Sequence, residues 1–271
     1  MKASTLGPAL SWLRPDTTLH LLVTNLRARI FLFSFTMLFF ELLCIRWIPS
    51  YVRYLSYFNN FILFASFLGI GLGMLAARRP RFWFPPFPLM LLLLVVVVGL
   101  NRFELSIPST QALYFGGRDI QQARAENFLV LPLIFGLVTS CFIPLARSFG
   151  QLFTKVEPLT AYTFDILGSL LGIACFSVIA FFTLPPLAWF AVLALSILLL
   201  GRRETVVVTA LFLLVSLVIV WRLQRGAFWS PYYKIVIRPA VPSGYTVDVN
   251  NTGHQVMIPW QNKEPFYRLL Y

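Results

Sequence analysis

Charge is what this sequence most lacks. Only 12% of its 271 residues are Asp, Glu, Lys or Arg, where a soluble domain carries about a quarter. Hydrophobic residues make up 58%, and the mean hydropathy is +0.78. There is too little polar material to cover a water-facing surface. That excludes a soluble enzyme, a disordered tail and a collagen-like chain, and leaves a polytopic helical membrane protein. Histidine is nearly missing. His20 and His254 are far apart and stand without a Cys or carboxylate cluster, so no metal site is expected. Cysteine is scarce too. Cys44, Cys141 and Cys175 lie inside apolar runs, their number is odd and no C-x-x-C occurs, so they read as small apolar packers. No P-loop, G-x-S-x-G or H-E-x-x-H is present. The run G-I-G-L-G at 69–73 lacks the spacing and the preceding strand of a dinucleotide fingerprint.

The charge that is present is mostly basic, with 22 Lys and Arg against 10 Asp and Glu. In a soluble chain this would suggest nucleic acid. Here the bases cluster between apolar runs, as at Arg78, Arg79 and Arg81 and at Arg202 and Arg203. They read as topology-setting charge beside a lipid surface, with no nucleic-acid partner.

A spanning helix needs about 20 mostly apolar residues. The chain offers seven stretches, near 30–48, 58–77, 83–100, 127–146, 161–182, 185–200 and 205–222. The third and sixth are the weakest. Pro85, Pro86 and Pro88 break the start of the third, and the sixth opens at Pro185-Pro186. The expected fold is an all-α polytopic membrane bundle of about seven transmembrane helices, followed by a small antiparallel β meander. Residues 1–28 form an N-terminal arm, 29–223 the helical domain and 224–271 the β tail. Eleven Lys and Arg flank the N-terminal side of these spans and five the other, before the tail with its six further bases. By that bias the N-terminal arm is cytoplasmic, and seven spans then put the tail outside.

Few polar groups enter the apolar runs. Glu41 lies deep in the first span, with Arg46 five residues on. Five residues is about 140° around a helix, so the two do not stack on one face. Arg46 can reach the interface, whereas Glu41 needs a donor from another helix. Asp165, Gly168, Ser169 and Gly172 share one face of the fifth span. Gly168-x-x-x-Gly172 admits a close helix crossing, and Ser66, Gly69 and Gly73 repeat the device in the second span. Two readings stay open for Glu41, Arg46 and Asp165: buried bonds that hold helices together, or an intramembrane polar site for a solute or proton.

The tail alternates. Tyr232–Arg238, 245–250 and 254–258 read as three strands, with turns at Ser243-Gly244 and Asn251-Thr252-Gly253. Its 48 residues are near the size below which a core cannot hold itself together. The meander should therefore dock on the membrane part, on a partner chain, or on a further domain that completes its sheet. Asn250-Asn251-Thr252 matches the glycosylation sequon and is taken as chance.

Three stretches carry a resemblance. F-E-L-L-C-I-R-W at 40–47 with F-L-G-I-G-L-G-M at 67–74 resembles the first two spans of membrane-fused spermidine/spermine-synthase-like (polyamine aminopropyltransferase-like) proteins of bacteria. A-Y-T-F-D-I-L-G-S-L-L-G at 161–172 resembles a later stretch of the same proteins. W-S-P-Y-Y-K-I at 229–235, V-N-N-T-G-H-Q at 249–255 and P-F-Y-R-L-L-Y at 265–271 resemble the β lobe that opens their synthase domain. The resemblance implies a multi-pass protein of the bacterial inner membrane. Its bundle would anchor an aminopropyltransferase-type α/β domain, and feed or drain it. Trp229, Tyr232, Tyr233, Gln255 and Tyr267 are the implied substrate-lobe residues. Decarboxylated S-adenosylmethionine or a related nucleoside is implied only for the α/β domain. The chain stops where that domain would begin, so no catalytic residue, no cofactor and no transferase activity are expected of this chain alone. Two departures stand out. Tyr233 occupies a position where such enzymes usually have a nucleoside-contacting Gln, and Arg268 and Leu269 follow Tyr267 where His-Glu is usual. The alternatives are a standalone transporter of polyamine-like solutes and a non-catalytic membrane assembly subunit, with a homo-oligomer as a further option.

Overall fold

A helix that is apolar around its whole circumference has no side to turn toward water. It is either buried in protein or faces lipid. The computed structural model describes residues 25–52, 55, 60–79, 84–100, 126–201, 205–239, 244–257 and 259, and only the backbone of 126–128. The N-terminal arm to residue 24 and the closing segment with Tyr267 lie outside the described residues.

Seven α-helices are described: α1 Leu26–Trp47, α2 Asn60–Ala77, α3 Phe87–Leu100, α4 Glu126–Phe153, α5 Pro158–Phe181, α6 Pro186–Leu200 and α7 Val206–Leu223. Five of them, α1, α2, α4, α5 and α7, are long and apolar enough to cross a membrane. The expected count of about seven spans is thus not confirmed by helix length. At 14 and 15 residues, α3 and α6 would rise only about 21 and 23 Å, short of a hydrocarbon core of about 30 Å. The prolines flagged in the sequence are the reason, since Pro86 and Pro185 close off each helix at its start. By contrast, α4 runs seven residues past its expected end and carries Pro132 and Pro144 in its interior. Membrane helices tolerate such prolines when neighbouring groups re-satisfy the carbonyl freed four residues earlier.

The buried centre of the bundle is α1. It packs along α5 and also touches α2, α4 and α6, while α2 lies along α4, and α7 along α3 and α6. On the outer faces of α5 and α7, Leu170, Val178, Phe181, Val207, Leu211 and Leu214 are each more than half exposed. A water-soluble surface rarely carries so continuous an apolar face, and hydrocarbon makes it favourable. Between α5 and α6 the chain turns through Thr183 at φ 57°. Leu184 N–H donates to the Ile179 carbonyl and Thr183 N–H to that of Ala180, so the last turn of α5 is closed before Pro185.

The tail is a four-stranded antiparallel meander, β1 Ala227–Trp229, β2 Lys234–Pro239, β3 Tyr245–Val249 and β4 Thr252–Met257, in that order. The three-stranded expectation missed β1. Three residues are too short to show alternation, and β1 exists because it pairs with Lys234–Val236. The second turn also moves. Val249 pairs with Thr252, so Asn250-Asn251 is the whole loop, with φ of 48° and 61°. Two left-handed residues are what a tight type I′ hairpin requires, and Asn tolerates them. Gly253 belongs to β4, beside a register shift opposite Val247 and Asp248.

Candidate functional site

The two intramembrane carboxyls are each held by a serine. Ser66 Oγ of α2 donates to Glu41 Oε1 at 2.7 Å, and Ser34 Oγ of α1 donates to Asp165 Oδ1 at 2.6 Å. Each serine also lies against a carbonyl of its own helix, Leu63 O at 2.8 Å and Ile30 O at 3.0 Å. One hydroxyl hydrogen cannot serve two acceptors at once. An amide in the carboxyl's place could donate to the serine oxygen and leave the serine hydrogen for the carbonyl. Glu41 is only 4% exposed.

Backbone contact surrounds both pairs. A Cβ on Gly168 would collide with the Phe31 carbonyl oxygen, and one on Gly172 would sit 2.7 Å from that of Phe35. In α2, a Cβ on Gly69 would collide with the Thr139 carbonyl oxygen, and one on Gly73 would meet that of Ile143 at 2.6 Å. Thr139 Oγ1 donates to Ala65 O at 3.1 Å across the same crossing. Ser169 is half-buried at the margin of the α5 face. The polar atoms thus lie inside helix–helix contacts. Glu41 and Asp165 are bound to different helices, and neither forms an ion pair with Arg46 among the described residues.

Arg46 serves elsewhere. Its Nη2 donates to the Ser230 carbonyl in the β1–β2 turn, and its guanidinium lies 4.5 Å from the Trp189 ring centre. Trp189 stands at the start of α6, edge-on to Trp229 of β1 at 5.2 Å. Tyr51, just after α1, lies between Trp47 at 5.4 Å and Trp229 at 6.4 Å. Lys234 opens β2 and is 6% exposed. Its Nζ sits 3.7 Å from the Tyr51 ring centre and donates to Asn251 Oδ1 at 3.2 Å and to Ser50 O at 3.5 Å. Asn251 Nδ2 in turn donates to Tyr51 O at 3.1 Å, and Gln224 Oε1 accepts from the Leu187 N–H at 2.9 Å. These contacts fasten the β lobe to one end of the bundle.

Burial lowers the Lys234 ammonium from its ordinary 10.5 to about 8, with the Arg238 charge adding to it. Burial pushes the Tyr51 phenol well up, against a smaller opposing pull from the Trp47 indole. No carboxylate faces this cluster among the described residues. Asp248, the one acid of the described tail, pairs with Arg238 at 3.4 Å.

Of the implied substrate-lobe residues, Tyr267 lies outside the described residues and the other four differ in setting. Trp229 is buried in the junction, while Tyr232, Tyr233 and Gln255 are exposed. The Tyr232 and Tyr233 ring centres lie 6.3 Å apart, with the rings tilted at 53°. The residues that do converge at the junction, Ser50, Tyr51, Trp189, Lys234 and Asn251, were not singled out as site residues from the sequence, and neither was Ser34, the partner of Asp165. Their only signal was that Trp and Tyr cluster where spans end. Comparison with known proteins returned no family model, no curated protein and no solved structure that matches this chain.

Proposed function

We propose that this chain is the membrane anchor of a spermidine-synthase-like protein, whose bundle holds a β lobe fixed at one membrane face as the platform for an aminopropyltransferase-type α/β domain. One contact carries the reading: the bond from Arg46 in the F-E-L-L-C-I-R-W stretch to Ser230 in the W-S-P-Y-Y-K-I stretch. Two of the sequence stretches behind the resemblance are thus the two halves of one joint. The third, A-Y-T-F-D-I-L-G-S-L-L-G, supplies the α5 side of the central crossing through Asp165, Gly168 and Gly172. The intramembrane carboxyls act here as packing bonds, which favours anchoring over solute transport.

The joint bears on sidedness. The lobe sits at the C-terminal end of α1, whose 22 residues rise about 33 Å, so Leu26, the first residue of that helix, and the lobe stand at opposite ends of it. A cytoplasmic start of α1 and a cytoplasmic lobe exclude one another. The sulfonium charge and ribose of the implied cosubstrate bar it from crossing hydrocarbon. The transferase reading therefore places the lobe inside, in the bacterial inner membrane. The six bases after residue 221 bring the lobe side to eleven Lys and Arg, equal to the arm side, so the charge bias does not oppose this. A topology reporter placed at the lobe end should score as cytoplasmic. Membranes of the natural host carrying the protein should transfer the aminopropyl group of labelled decarboxylated S-adenosylmethionine to a diamine. An external lobe, or membranes without transfer to any diamine, would remove the transferase platform and leave an anchor of another kind.

A further inference from the structure

At the end of the bundle away from the lobe, a cavity of about 700 Å³ opens between the C-terminal turns of α2 and α4. That is within the range of about 300–1,000 Å³ usual for small-molecule sites. Arg78, Lys155, Gln151 and Thr154 are among its lining residues. The lining also includes Gly71, Met74 and Leu75, which are exposed on the side of α2 that faces away from the bundle. Arg78 and Lys155 are exposed, and neither forms an ion pair among the described residues. Among the described residues, no acidic side chain lines the cavity. The nearest acid in sequence, Glu157, accepts from Thr160 at 3.3 Å.

We propose that this cavity binds one anionic phospholipid, with the headgroup phosphate between Arg78 and Lys155 and an acyl chain along Gly71 and Leu75. Three observations select that occupant over a free anion. The site lies where two helices that can span end, at the depth of headgroups. Its two bases share the cavity with apolar lining that a bare phosphate would leave unused. Gly71 is also the open member of G-I-G-L-G. A Cβ there would have no heavy atom within 4 Å, whereas its neighbours Gly69 and Gly73 are closed by backbone. Gly71 leaves a groove on the lipid-facing side of α2, leading up to the two bases.

The test is a titration of the detergent-solubilised protein with phosphatidylglycerol, with phosphatidylcholine of the same chains, and with inorganic phosphate, counting bound lipid by native mass spectrometry. One phosphatidylglycerol should be retained in preference to phosphatidylcholine. The double variant Arg78→Gln, Lys155→Gln should weaken it about thirtyfold, since two interfacial bases are lost. Gly71→Leu should fill the groove and also weaken lipid binding, while leaving lipid-free melting unchanged because the position is open. Unaltered phosphatidylglycerol affinity in the double variant, or equal affinity for phosphatidylcholine, would overturn the proposal. Displacement of the lipid by an equal concentration of inorganic phosphate would also overturn it, by making the two bases an ion site.

Discussion

At the two glycine crossings, the contacts are carbonyl oxygens against bare Cα atoms: Gly168 and Gly172 on Phe31 and Phe35, and Gly69 and Gly73 on Thr139 and Ile143. At the lobe junction the contacts are the largest side chains in the chain, Trp47, Tyr51, Trp189 and Trp229, crossed by Arg46 and Lys234. The environments explain the contrast. Inside hydrocarbon a large apolar side chain gains nothing by leaving lipid for protein, so helices associate through close backbone approach and hydrogen bonds. At the membrane–water boundary, apolar area regains its driving force, and each aromatic ring removed from water contributes. The crossings should therefore be intolerant of volume, and the junction sensitive to charge and pH.

The largest effect should come from added volume at a crossing. Gly168→Leu places a side chain where the Phe31 carbonyl stands, and relief requires α1 and α5 to separate. Overpacking usually costs about 1–3 kcal/mol and more when backbone must move. Here it should abolish the folded form in detergent. Gly71→Leu, in the same G-I-G-L-G run as the closed Gly69 and Gly73, should express and melt like the parent. Size-exclusion profiles and thermal melting of the pair check the comparison. Equal stability of Gly168→Leu and the parent would break it.

Next in size is the pH response of the junction. Lys234 holds its proton less well when docked, at about 8 against its ordinary 10.5. Between those values the undocked lobe binds more protons than the docked one, so docking should strengthen as pH rises from about 8 toward 10.5. The full difference amounts to roughly 3 kcal/mol. Tyr51 acts in the opposite sense. Its phenol resists ionisation when buried, so docking should weaken again above its ordinary 10.0. Unfolding of the lobe, followed by near-ultraviolet circular dichroism of the Trp189–Trp229 pair, should show stability climbing and then falling. Lys234→Met should flatten the climb and keep the fall. A climb that survives in Lys234→Met would place the titrating group elsewhere.

The crossings were legible in the sequence because their signal is local. Gly168 and Gly172, and Gly69 and Gly73, announce themselves by four-residue spacing whatever they pack against. Their partners were not legible. Phe31 and Thr139 contribute backbone carbonyls, which every residue has, and Ser34 looks like any other small residue of a span. The angular argument that kept Glu41 from Arg46 agrees with the structure, where the two bind Ser66 and Ser230. The junction was hidden for a different reason. Lys234 alternates within a strand as a surface lysine would, and only docking 184 residues away on Ser50 buries it. The short helices α3 and α6 are apolar along their length. Hydropathy counts them with the spans, and the prolines mark where each helix begins.

The smallest expected effect separates the packing role of the carboxyls from a role in solute or proton passage. In Asp165→Asn the amide can donate to Ser34 Oγ, leaving the serine hydrogen for the Ile30 carbonyl, so the chain of bonds remains complete. Stability should change by less than about 1 kcal/mol. Ser34→Ala removes the donor and leaves the Asp165 carboxyl facing α1 without its partner, at a cost of about 1–3 kcal/mol. Glu41→Gln and Ser66→Ala should repeat the pattern at the α1–α2 contact, where Ser66 likewise stands between a carboxyl and a carbonyl. Thermal melting in detergent ranks the four variants. A passage role would invert the order. Asn and Gln would then abolish solute uptake or proton flux in reconstituted vesicles while melting normally, and the serine variants would matter less. If the ranking by melting holds and no flux depends on either carboxyl, Glu41 and Asp165 belong with the glycines as parts of the helix contacts.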